Sequence, residues 1–220
     1  MNHLNQESTH AMKLKMAPPT KEEQLKKKEE MALWAKTVLT DPNTLIVDVE
    51  TTGLPSRDPK TEVVSIAMIN NEGRVVLAGL VNPSRPIPAE AQKVHGIDDR
   101  TVKDAPPFNV IGNLIAGTME GKRVVCYNAG FDVHLLVTLF QRYGINIPEF
   151  EAECAMEAYS AFVGDWTKSK ESYKWQKLPK LAYGKAHDAL VDCESTRLLM
   201  MKMTGDFSND PNPNDIDLTF

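Results

Sequence analysis

Five residues carry side chains that could do chemistry together: Asp48, Glu50, Asp132, His187 and Asp192. Asp48 and Glu50 stand at alternate positions in the run Leu45-Ile46-Val47-Asp48-Val49-Glu50-Thr51-Thr52-Gly53. That run opens as a continuous β-branched apolar stretch, the pattern of a strand buried on both faces. Alternation along a strand puts the two carboxylates on one face, about 7 Å apart. On a core strand such a pair repels itself and loses hydration unless a cation sits between, so it predicts a divalent metal site. An exposed edge strand with polar groups in water is the plainer reading, and the apolar flank of residues 45–47 argues against it. Asp132 follows a second apolar run at the start of a helix, where an acid also suits the positive end of the dipole. Asp192 stands in the first turns of the last helix, behind an Asp188 that fits an N-cap. Four carboxylates form the hard oxygen set that selects Mg²⁺ or Mn²⁺ over zinc. His187 adds a group of the type that titrates near neutrality.

The elements that must position these residues can be read in order. Thr20 and Glu23 form a capping-box pair that opens a helix over residues 20–39, with Leu25, Met31, Ala32, Ala35, Val38 and Leu39 on one face. Its charged half reads as a solvated face. The central strand follows, then strands over 62–70 and 74–81, spaced for an antiparallel meander. A short helix over 89–94 ends at His95-Gly96, where Gly96 suits a left-handed cap. Residues 97–107 read as irregular and 108–119 as a helix. An apolar strand over 123–127 leads through Asn128-Ala129-Gly130 into a helix over 131–143. Residues 153–156 fit strand or helix, 157–163 a helix, and 187–203 the final helix. The expected architecture is an α/β mixed sheet, an antiparallel meander plus parallel strands, with helices on both faces.

With 220 residues and 42% hydrophobic content, one core is the natural expectation. Residues 1–19 read as a disordered arm, 20–43 as an N-terminal helix and linker, 44–203 as the catalytic domain, and 204–220 as a disordered acidic tail. The net charge of −5 excludes a global basic field, though not a local basic patch. Three cysteines without CxxC spacing argue against a disulfide framework or zinc ribbon and fit a reducing, cytoplasmic setting. Nothing approaches the ~18 apolar residues of a membrane span.

Three motifs in this order resemble those of the DnaQ-like exonucleases: Asp48-Val49-Glu50-Thr51-Thr52-Gly53, Asn128-x-x-Phe131-Asp132 and His187-x-Ala189-x-x-Asp192. This is the DEDD superfamily, whose best-known member is the proofreading subunit of the bacterial replicative polymerase. Val94-His95-Gly96-Ile97 resembles a further element of the proofreading branch, and the likeness spans residues 44–203. His187 stands five residues before Asp192, which resembles the histidine (DEDDh) branch. Tyr183 lacks the aspartate four residues on that the tyrosine branch would require.

The resemblance implies an RNase H-like fold and a 3′→5′ exonuclease that releases 5′-mononucleotides from single-stranded DNA. It implies two Mg²⁺ or Mn²⁺ ions held by Asp48, Glu50, Asp132 and Asp192, with His187 as general base. Main-chain groups of Thr51, Thr52, Gly53 and Leu54 would line the pocket for the terminal nucleotide, with His95, Asn128 and Phe131 as further substrate contacts. On their own terms Asn128 also reads as a helix cap and Phe131 as core packing. Two alternatives stand beside the leading reading, an RNA 3′-end trimming enzyme and an inactive nucleic-acid-binding module. The lysine- and aromatic-rich stretch 165–185 has the composition of a single-strand track, or of a solvated loop with anchoring tryptophans. The terminal Asp215-Ile216-Asp217-Leu218-Thr219-Phe220 faintly resembles sliding-clamp or single-strand-binding tail motifs, so that tail or the N-terminal helix could dock a polymerase, clamp or single-strand-binding partner.

Overall fold

The computed structural model describes residues 17–167, 169, 171–185 and 187–205. The arm up to residue 16, the tail from residue 206 and two lysines of the basic stretch, Lys168 and Lys170, lie outside the described residues. Five strands form one sheet: β1 (Thr44–Thr51), β2 (Val63–Asn70), β3 (Val75–Leu80), β4 (Arg123–Cys126) and β5 (Glu151–Cys154), in spatial order β3-β2-β1-β4-β5. β1, β2 and β3 run as an antiparallel meander, whereas β4 is parallel to β1 and β5 to β4. The mixed sheet expected from the sequence is therefore present, and β1 is its middle strand. Seven of its eight residues are buried and Asp48 is half-buried, which disposes of an exposed edge.

Period-2 alternation assigns each face of β1 a different partner. Leu45, Val47 and Val49 point into a core with Phe108, Ile115 and Met119 of α4 (Phe108–Met119) and Leu135, Leu136, Leu139 and Phe140 of α5 (Ala129–Arg142). Ile46 points the other way, into a core shared with α1 (Lys21–Thr40), α6 (Ala155–Val163) and α7 (Ala189–Thr204). Asp48 and Glu50 continue the Ile46 face, beneath the start of α7.

α1 opens with the capping box of Thr20 and Glu23 and packs on α6 and α7, with Ala35 and Val38 fully buried. Leu25, expected on the same face, is 59% exposed, because the packed stretch of α1 runs from Met31 to Leu39. Gly96 caps α2 (Ala89–His95) in the left-handed region at φ 79°. The stretch read as irregular contains a one-turn helix α3 (Asp99–Val102), started by the Asp98 side chain accepting from Thr101 N–H. A short hairpin, β6 (Trp166–Thr167) and β7 (Ser172–Tyr173), lies between α6 and α7.

α7 is buried nearly all round, and it holds an ion pair within its own length. Arg197 donates to Glu194 through Nε at 2.7 Å, with both side chains under 10% exposed. No helix among the described residues is long and apolar enough to cross a membrane.

Candidate active site

The sheet opens at one place. The β1–β4 ladder pairs Thr44, Leu45 and Ile46 with Arg123, Val124 and Val125 and then ends. Past it the Val49 N–H is taken by Asp132 Oδ1 at 3.3 Å, across 83 residues of chain. The crevice beyond the carboxyl ends of β1 and β4 is where α/β sheets assemble sites. A register shift between Glu50 and Thr51 bends β1 at this point, as bulges beside functional sites do.

Asp188 caps α7, its Oδ1 accepting from the N–H groups of Leu190 and Val191 at 3.1 and 3.3 Å. The cap turns the preceding residue back, so that His187 N–H donates to Asp192 Oδ2 at 3.2 Å. His187 is exposed and holds φ 61°, in the left-handed region, a strained setting for a residue with a side chain. Ligand atoms of Glu50, His187 and Asp192 all lie within 4.8 Å of one another. The Asp132 side chain is 4% exposed in the first turn of α5.

These carboxylates strain against each other. Burial, followed by the charges of Asp132, Asp192 and Glu50, pushes Asp48 well above the ordinary aspartate range. Burial and then Asp192, Asp188 and Asp132 raise Glu50 to about 8, which Lys185 only slightly relieves. Burial raises Asp132 to about 7 against the pull of the Val49 N–H. Asp192 is also raised by burial, with His187 opposing. Four acids that resist ionisation side by side, with oxygen donors and one imidazole, fit a divalent cation.

The residues expected at the substrate separate into two groups. Asn128 is exposed at the start of α5 and its side chain makes no capping bond, and Leu54 is 46% exposed on the turn after β1. Phe131 is half-buried against the α4–α5 core. His95 is more deeply buried than these. It is 6% exposed, its Nδ1 accepts from Ile97 N–H at 3.0 Å, and its Nε2 lies 3.3 Å from the Thr51 carbonyl. Nδ1 as acceptor leaves the proton on Nε2, so His95 is the neutral tautomer donating to Thr51, and burial lowers its pKa accordingly. Through that bond it holds the end of β1.

The main chain of Thr51 and Thr52 is likewise spent inside the fold, since Thr52 N–H donates to the Glu62 carbonyl at 2.9 Å. In the turn itself the Gly53 carbonyl accepts from Thr51 Oγ1 at 2.7 Å, and the Leu54 carbonyl accepts from the N–H groups of Arg57 and Asp58 at 2.9 and 3.0 Å.

A contact absent from the sequence reading completes the site. Lys185 Nζ donates to the His95 carbonyl at 3.2 Å, clipping the His187 loop to the end of α2 across 90 residues. Nothing in the local pattern announces it. The loop is further shaped by Gly184 at φ 138°, where a Cβ would come within 2.5 Å of Val191 Cγ2. Gly184→Ala is therefore expected to cost about 2 kcal/mol, roughly 4–8 °C in Tm, and to lower turnover by displacing His187. An unchanged melting curve would show that the loop has slack.

The chain matches the Exonuclease family (RNase_T) over residues 45–200. It is 37% identical over 165 residues to the uncharacterized exonuclease CP81 of Escherichia phage 186, covering 69% of this chain and 83% of that protein. It is 33% identical over 115 residues to DNA polymerase III subunit epsilon of Rickettsia conorii, and that match spans 48% of each. The Escherichia coli exonuclease I–single-stranded DNA complex superposes with a TM-score of 0.58 at 15% identity, over 74% of this chain and 42% of that one. At that identity the likeness speaks for the fold, which is RNase H-like. With the family matched across the whole sheet and every helix from α2 through most of α7, the chain belongs to the exonuclease family and is a 3′→5′ exonuclease.

Proposed function

We propose that the chain hydrolyses phosphodiester bonds at 3′ ends of single-stranded DNA and releases 5′-mononucleotides. The observation that supports this most is the gathering of Asp48, Glu50, Asp132 and Asp192 with His187 at the carboxyl end of β1. The four carboxylates would hold two Mg²⁺ or Mn²⁺ ions, which when bound activate a water and stabilise charge on the attacking and leaving oxygens. Asp48 and Asp132 would be carboxylate ligands to the ions, and Glu50 and Asp192 would hold metal beside His187, whose ring lies within 4.8 Å of their oxygens. His187 takes the proton of the attacking water as its oxygen bonds to phosphorus. The bond from phosphorus to the 3′ oxygen of the penultimate nucleotide breaks, leaving a shortened 3′-hydroxyl end and a 5′-mononucleotide. Exposed Leu54 would offer an apolar surface to the terminal base, and exposed Asn128 a polar group.

The epsilon likeness supports a replicative or repair partner, a polymerase or clamp, reached through the exposed side of α1 or the tail. Its three free cysteines suit work in a reducing cytoplasm.

The deciding experiment is a time course on 3′- and 5′-labelled single-stranded DNA and RNA, with Mg²⁺, Mn²⁺ or chelator. A metal-dependent ladder shortening DNA from its 3′ end is expected. Preference for RNA would move the substrate assignment, and cleavage that persists in chelator would sink the metal mechanism.

A further inference from the structure

The reading above leaves one stretch unused, residues 165–185 between α6 and α7. It carries six lysines against Asp165 and Glu171, a net charge of +4 within a chain of −5. Its apolar residues divide into two kinds. Leu178 and Leu181 pack into the core under α1, α6 and α7, and Ala182 is buried against α7. The backbone is fastened on either side of the two leucines. Gln176 donates its N–H to Ser160 Oγ at 3.2 Å and accepts from the Tyr127 hydroxyl at 2.8 Å, and Ala182 N–H donates to Ser195 Oγ at 3.2 Å. Trp175 and Tyr183, by contrast, are 68% and 77% exposed, with Lys174, Lys177, Lys180 and Lys185 exposed around them.

Leu178 and Leu181 therefore anchor the stretch, while Trp175 and Tyr183 keep most of their surface toward water. Fixed backbone that presents large aromatics to water is the usual mark of a contact surface. Its place is set by two fastenings. Tyr127 directly follows β4 and precedes Asn128 and Asp132, so Gln176 is held to the rim of the crevice. At the other end, Lys185 stands two residues before His187.

We propose that this arm is a guide that leads a single strand of nucleic acid to the carboxylates, with Trp175 and Tyr183 as stacking platforms and Lys177 and Lys180 on the phosphates. The proposal rests on the exonuclease reading for its ligand class. Stacking selects a single strand, because only unpaired bases expose both faces. Every cation here is a lysine, a point charge suited to phosphate and not to bidentate reading of base edges, so binding is indifferent to sequence.

The test is binding, measured by fluorescence anisotropy with labelled oligothymidylates of twelve and three residues. It uses the full chain carrying Asp48→Asn to keep the strand intact. Adding Trp175→Ala with Tyr183→Ala should weaken the twelve-residue strand at least tenfold and narrow its advantage over the three-residue strand to match. Adding Lys177→Glu with Lys180→Glu should flatten the log–log salt dependence by about 1.4, from ~0.7 per phosphate on single strands. Trp175→Phe, which still stacks, should stay within about threefold of the parent. Unchanged affinity and salt slope would overturn the proposal, whether the arm is simply solvated or takes a protein. Equal weakening of both lengths would overturn it too, since that points to damage at the end site. Cleavage by the chain with Asp48 intact is a separate readout, and its absence would count against the exonuclease reading alone.

Discussion

Replacing Asp48 by asparagine will lower turnover ~10³-fold and at the same time make the metal-free protein more stable. The loss follows from removing a carboxylate proposed above as a metal ligand. Withdrawing about 4 kcal/mol of transition-state stabilisation lowers turnover ~10³-fold. The gain follows from the electrostatics of the empty cluster. Asp48, Glu50, Asp132 and Asp192 all have folded pKa values above those of free carboxyls, by burial first and by one another second. A carboxyl raised on folding holds its proton more tightly in the native state. The native state therefore binds more protons than the unfolded chain from about pH 4, where unfolded carboxyls titrate, up to the folded values of about 7 and 8 for Asp132 and Glu50. Through that window the stability of the metal-free protein falls as pH rises.

Asparagine removes one buried charge and relieves its neighbours. In chelator at pH 8 the variant should melt roughly 4–8 °C above the parent, the equivalent of about 2 kcal/mol. The gap should close toward pH 5, where the parent's acids are protonated. His95, which burial pushes the other way, is common to both proteins and cancels in the comparison. Divalent metal should raise the Tm of the parent and have little effect on the variant. An Asp48→Asn protein no more stable than the parent at pH 8 would mean that the four acids do not share one field.

The second large effect belongs to His187. His187→Ala should lower turnover ~10²–10⁴-fold while divalent metal still binds. The geometry makes the second clause a real test, because the imidazole lies within 4.8 Å of oxygens of Glu50 and Asp192 and could be a ligand. Calorimetric titration with Mn²⁺ separates the roles. Affinity within a few-fold of the parent is the outcome for a base, whereas a large fall would make His187 a ligand. Alanine at φ 61° adds backbone strain of its own. His187→Gly, unstrained there, is the cleaner companion, and partial recovery of its activity by added imidazole would identify the missing group as a proton acceptor. The His187 N–H bond to Asp192 is a main-chain bond and survives both substitutions.

How much of this was legible varies with the range of the interaction. The capping box at Thr20, the Asp188 cap and the left-handed Gly96 depend on residues within four positions of each other, and the structure matches all three. α3 was missed because residues 97–107 hold two prolines and a single helical turn, too short for a 3.6-residue period to appear. The burial of His95 under the end of β1 is a packing fact that no spacing encodes.

By itself the sequence determined which residues could do the chemistry and that Asp48 and Glu50 share a face, because strand alternation is a property of the backbone. It also marked β1 as a core strand and α7 as starting at Asp188. Only the tertiary structure decided where those faces meet. Asp132 reaches Val49 because the β1–β4 ladder stops after three residues, and Lys185 reaches the His95 carbonyl across 90 residues. It also decided that Trp175 is left 68% exposed while Leu178 and Leu181 pack into the core. Which of several apolar side chains is buried depends on what the rest of the chain packs against it. That is settled by contacts between distant segments and leaves no periodic trace along the chain.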